Sequence, residues 1–139
     1  MAKQTSLFLH TGHNMSGVTF VNADGTTAKT VFTAGSNDSD VKGIWATTDD
    51  TSAVNLKLFL YNGVTSYLLG CVNIPTLSGT NGTAATVNLL NSAYLPGLLL
   101  DASGKNYIPL KTGWSITVAP LVSITSTKTC WISAAGHDY

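Results

Sequence analysis

The chain has 139 residues, enough for one ordinary domain with a core of its own. Only 10% of them are charged, against about 25% in a typical soluble domain, and seven Lys balance seven Asp with no Arg or Glu at all. That balance lacks the positive footprint of phosphate-backbone binding, and no apolar run nears the ~20 residues that span a bilayer. Neither nucleic acid nor membrane is an expected partner. The opening residues carry no secretory apolar stretch of about 7–15 residues, so synthesis in a cytoplasm is expected.

What replaces charge is 20 Thr, 13 Ser, 13 Gly and 10 Asn. Thr is β-branched and suits a pleated strand, whereas Ser, Gly and Asn supply turns. The composition is that of an all-β protein.

Residues 1–17 read as an extended N-terminal arm, without sustained periodicity, ahead of one domain over 18–139. From there short apolar runs recur between turn signals, giving expected strands at 18–22, 30–33, 41–47 and 53–61. The last of these meets Asn62-Gly63, the pair that best tolerates the positive φ angles of a type I′ turn, so a hairpin is expected with 66–74. On the first strand Val54, Leu56, Leu58 and Leu60 share a core face. Strict alternation puts Phe59 and Tyr61 on the other face, with Tyr67 and Leu69 beside them. That is too much apolar area to leave in water, so those four residues are candidates for a subunit interface.

Further strands are expected at 85–89, 107–110, 114–119, 122–125 and 129–134. Between the first two, residues 91–100 permit about one helical turn, because Pro96-Gly97 interrupts them. Pro109 has no ladder donor, so its strand lies at an edge or ends there. About ten short strands without an internal repeat point to a two-sheet antiparallel β-sandwich, with a jelly roll the expected version.

Chemistry-bearing residues are sparse. His10, His13 and His137 sit near the termini, and an i, i+3 pair such as His10 and His13 converges only on a helix, so no metal is expected. Cys71 and Cys130 lie in apolar strands and read as small buried hydrophobes. Asp38 and Asp40, like Asp49 and Asp50, read as turn chemistry. Trp45, Trp114 and Trp131 fall within alternating strands, which favours core or interface over sugar stacking. Neither an enzyme nor a cofactor is expected.

One resemblance runs through 41–139. Val41-Lys42-Gly43-Ile44-Trp45 leads to the hairpin, then Tyr67-Leu68-Leu69-Gly70-Cys71-Val72-Asn73-Ile74-Pro75 and a Gly-rich loop. Leu95-Pro96-Gly97-Leu98-Leu99-Leu100-Asp101 and Tyr107-Ile108-Pro109-Leu110-Lys111-Thr112-Gly113-Trp114 follow, and Gly136-His137-Asp138-Tyr139 closes the segment. This order of features resembles the jelly-roll head decoration (cement) proteins of tailed bacteriophages. The resemblance implies a non-enzymatic homotrimer on the outer surface of a virion, partnered by the major capsid protein. It also makes Leu7, Phe8 and Leu9 of the arm candidates for contact with the capsid or a neighbouring subunit. The alternative is a receptor- or glycan-binding β-sandwich module of a phage tail or fibre.

Overall fold

The computed structural model describes residues 12–139, and ten strands supply nearly all of their regular structure. They are β1 (Gly12–Val21), β2 (Lys29–Thr33), β3 (Ser39–Thr48), β4 (Val54–Tyr61), β5 (Ser66–Ile74), β6 (Val87–Asn88), β7 (Leu99–Leu100), β8 (Asn106–Leu110), β9 (Ser115–Pro120) and β10 (Thr129–Asp138). One sheet runs β1-β10-β3-β8-β7, with β6 also paired to β3, and the other runs β2-β9-β4-β5. All named pairings are antiparallel. The two sheets form a β-sandwich. Leaving out the short β6 and β7, successive strands alternate between the two sheets except at the β4–β5 hairpin, whose strands share one sheet.

Period-two alternation explains the layers. Ile44 and Ala46 on β3, with Cys130, Ile132 and Ala134 on β10, are buried from one side. They meet Leu56, Leu58, Val72, Ile74, Ile116 and Val118 from the other sheet. Phe20 and Phe32 close the side where β1 and β2 run.

Three segments depart from the sequence expectation. Residues 12–17, expected within the arm, are the first half of β1 and pair with β10 from Gly12↔Asp138 to Gly17↔Ser133. Alternation is hard to see there because β1 is an edge strand with few buried positions. Residues 122–125 form no strand. Their groups bond across the sandwich end instead: Thr125 N–H donates to the Asp50 carboxylate (2.9 Å) and the Ile124 carbonyl accepts from Asn22 (2.8 Å). Finally, the β4–β5 connection is a four-residue loop over 62–65 rather than a type I′ turn. Gly63 has φ +96°, but Asn62 is not at positive φ; its side-chain oxygen instead accepts the N–H groups of Val64 and Thr65 at 2.9 and 2.7 Å.

The short turn within 91–100 is present, with the Leu95 N–H bonded to the Asn91 carbonyl (2.9 Å) before Pro96 stops it. Pro109 sits where β8 pairs with β3 but not with β7, so the missing donor falls on an unpaired side.

Candidate functional site

The candidate site is the open side of the sandwich, where the edge strands β5 and β7 come together. Its shape depends on a register shift in the hairpin. Leu58 pairs with Gly70, but Phe59 pairs with Leu68, leaving Leu69 as an extra residue on β5. Residues directly opposed across a ladder share a face, so the bulge exchanges the two faces beyond it. Leu68, not Tyr67, joins Phe59 on the outer face, while Tyr67 stands opposite the half-buried Leu60. The four residues expected on one face are therefore divided. Phe59 and Tyr61 are half-buried on the outer sheet surface, and Tyr67 and Leu69 are exposed at the sheet edge.

Gly70 lies beside the bulge because a side chain would not fit. A Cβ there would come 2.5 Å from Leu95 Cδ2 and 3.0 Å from the Tyr94 carbonyl oxygen. Leu95 thus packs down onto β5 and anchors the segment that leads into β7. Between this segment, the hairpin and β8 lies an apolar groove of about 320 Å³, lined by residues that include Leu60, Leu69, Leu95, Leu99, Tyr107 and Pro109. No charged side chain lines it. On β5 and β7 themselves, Leu68 is 58% exposed and Leu100 65%, with Tyr67 and Leu99 also open to solvent. This is a concentration of exposed apolar side chains greater than an ordinary solvated edge carries.

The other candidate residues serve the fold. Asp50 is buried; burial opposes its charge, yet N–H bonds from Ser52 (2.8 Å) and Thr125 (2.9 Å), the Thr125 side chain and the nearby Lys128 hold its carboxyl below the usual range. Asp49 accepts the Thr129 N–H at 2.8 Å. Asp38 accepts the Thr112 N–H at 2.7 Å, and that bond first, then the Thr112 side chain, lowers its pKa. Asp40 accepts a short hydrogen bond from the Tyr139 hydroxyl, which with burial and the Asp40 charge pushes the phenol up to about 12.

His13 and His137 face each other on the outer surface, ring centroids 5.3 Å apart in an edge-to-face arrangement. Asp138 points to the opposite face, where it accepts from Ser39 (2.5 Å) and Asn14 (2.9 Å), so it does not join them. Among the described residues no group of three or more His, Cys, Asp or Glu is placed to hold a metal. His10, Leu7, Phe8 and Leu9 lie outside the described residues.

Cys130 is buried as expected, and its thiol is pushed up to about 12 by burial and by the charge of Asp50. Cys71 is exposed, contrary to expectation, because its position on β5 faces away from the core side held by Val72. The two thiols are free. Trp114 packs against the core, but Trp45 and Trp131 face outward. They are diagonal neighbours on one sheet surface, since Trp45 pairs with Ser133 and Trp131 with Thr47.

No protein-family model matches the chain, and no curated protein matches it. Among solved structures it is similar to a chain of the cyanophage Pam1 capsid asymmetric unit. The TM-score is 0.45 at 11% identity, over 92% of this chain and 84% of that one.

Sequence reasoning missed the second wall of the groove. Leu95, Leu98 and Leu99 read as an interrupted turn, whereas they are the apolar lip opposite Leu69. The available signal was the unbroken run Leu98-Leu99-Leu100, which has no polar alternation and ends at Asp101.

Proposed function

We propose that this protein is a non-enzymatic structural protein that decorates and stabilises a bacteriophage capsid as a trimer on its outer surface. The observation that carries the reading is the exposed apolar side formed by β5, β7 and the groove between them. A chain with so few charges leaves that side open where a self-sufficient monomer would place polar groups. The interleaved strand order, read as a jelly roll, and the sequence pattern over 41–139 support the same assignment. Tyr67 and Leu69, with Phe59 and Tyr61 on the adjoining outer face, form the subunit interface in this reading. The partner is the major capsid protein, the location is the virion, and Leu7, Phe8 and Leu9 reach a neighbouring molecule.

Co-sedimentation with undecorated phage capsids tests the assignment. Saturable binding at a fixed number of trimers per shell, with greater resistance of the shell to heat, is the expected result. Absence of binding from capsids of the native host phage would overturn it.

A second reading rests on Trp45 and Trp131, which lie together on an outer sheet face, with Trp131 39% exposed. Aromatic platforms of this kind stack on sugars, as expected for a glycan-binding module. Quenching of tryptophan fluorescence by a saccharide panel, removed by Trp131→Ala, would favour it over decoration.

A further inference from the structure

We infer that the groove between β5 and β7 receives Leu7-Phe8-Leu9 from a second copy of this chain. This inference rests on the proposed self-association and names the contact that holds the copies together.

The first support is chemical. The groove is apolar, without a charged lining residue, and its volume corresponds to roughly ten waters that an apolar segment would displace. Eleven residues precede Gly12, and their one apolar cluster is Leu7-Phe8-Leu9, with no charged residue between Gln4 and Thr11 apart from titratable His10. An uncharged groove and an uncharged apolar segment match each other, whereas a charged peptide would lose hydration there without compensation.

Reach decides which copy supplies the segment. A single row of paired residues crosses the sheet from Gly12 through Asp138 and Ser39 to Leu110. Three strand spacings of about 4.8 Å put β8 some ~14 Å from Gly12, and β7 lies one spacing further. The groove also sits further along β8, at Tyr107 to Pro109. Fully extended chain covers at most about 3.4 Å per residue, so Leu9 reaches ~10 Å from Gly12, Phe8 ~14 Å and Leu7 ~17 Å. On the same strand spacings Tyr107 lies ~18 Å from Gly12 and Leu99 ~22 Å, so the chain's own segment can touch at most the Pro109 end of the groove and cannot fill it. A neighbouring copy whose Gly12 approaches the groove meets no such limit.

Cross-linking in the full-length protein tests this. In a Cys71→Ser background, one preparation carries Phe8→Cys and a second carries Leu99→Cys, each alone. Leu99 is an exposed rim residue, so the substitution leaves the core untouched. Mixing the two under mild oxidation is expected to yield a covalent dimer between unlike chains, at least tenfold above the yield when Phe8→Cys meets an exposed control, Val122→Cys. Phe8→Asp is expected to weaken self-association by about tenfold to a hundredfold. A dimer yield no better than the control overturns the inference, as does cross-linking confined to a single chain carrying both cysteines. If the wild-type protein self-associates but neither variant shows an effect, the groove assignment fails while the trimer reading survives. If the wild-type protein is monomeric throughout, the trimer reading fails too.

Discussion

Phe59 stands directly across from Leu68, and the next residue, Leu69, has no partner on β4. This one-residue excess turns Tyr67 toward the side of Leu60 and gives the hairpin tip two apolar surfaces rather than one. The groove exists because the bulge leaves Leu69 facing the segment that Leu95 anchors.

Tyr67→Asp places a charge on this edge at a residue 49% exposed in the single chain. Folding is expected to survive, with a circular dichroism spectrum and melting midpoint near wild type. The native mass is expected to fall to that of one chain, because burying an unpaired carboxylate in an apolar contact is costly. A variant whose native mass equals wild type would remove Tyr67 from the interface.

The two cysteines are expected to differ sharply in reactivity. Cys71 is exposed, whereas the Cys130 thiol is buried and pushed up to about 12 by burial and by Asp50. Thiolate is the reacting form, so a disulfide-exchange reagent at pH 8 should titrate one thiol per chain in the native protein. A second should appear only on unfolding in guanidinium. Slow native labelling of both would contradict the burial of Cys130.

Tyr139 supplies an alkaline transition. Its folded-state pKa is raised above the unfolded value of about 10, so the stability from its bond to Asp40 is complete below pH ~10. That contribution is lost as the pH climbs from about 10 to about 12. Tyr139→Phe is expected to be less stable at pH 8 by about 1 kcal/mol and to lose less between pH 10 and 12. Urea melts of both proteins across that range give the comparison; parallel curves would remove the Asp40–Tyr139 bond from the account.

Gly136→Ala should be among the most damaging single-methyl additions. Gly136 marks the irregularity between β10 and β3, and a Cβ there would collide with the Asp40 carbonyl oxygen and come 2.9 Å from the Phe32 ring. Backbone on one side leaves little room to yield, so a loss of about 3 kcal/mol is expected by chemical denaturation. A loss below ~0.5 kcal/mol would show that the strands separate there at little cost.

Asp50 ties the β3–β4 loop to the segment before β10 through its bonds from Ser52 and Thr125. Asp50→Ala strands two N–H groups and is expected to cost about 3 kcal/mol at pH 7. Because its folded-state pKa is lowered, this contribution is present above the unfolded value of ~4 and fades as the pH falls through the folded value. The gap between wild type and variant in urea melts should therefore narrow below pH ~4; a constant gap would assign the effect to packing.

Alternation alone made most of the strands and the two-layer class legible. Val54-Asn55-Leu56-Lys57-Leu58 reads as a half-buried strand and is one, since local period and burial agree. The bulge at Leu69 was not legible, because it accompanies the packing of Leu95 on Gly70, a contact across 25 positions that no local pattern records. Nor was the outward placement of Trp45 and Trp131, where alternation gives two faces but not which one meets the core. Residues 122–125 misled for a related reason: Ile124 is buried by lying across the sandwich end, not by joining a ladder.

The native mass of the purified wild-type protein, measured by light scattering across a size-exclusion column, tests the central claim most directly. A single species at three times 14.5 kDa, stable on dilution to the micromolar range, is the predicted result. A monodisperse 14.5 kDa species at every concentration would contradict a trimer built on the β5 and β7 side.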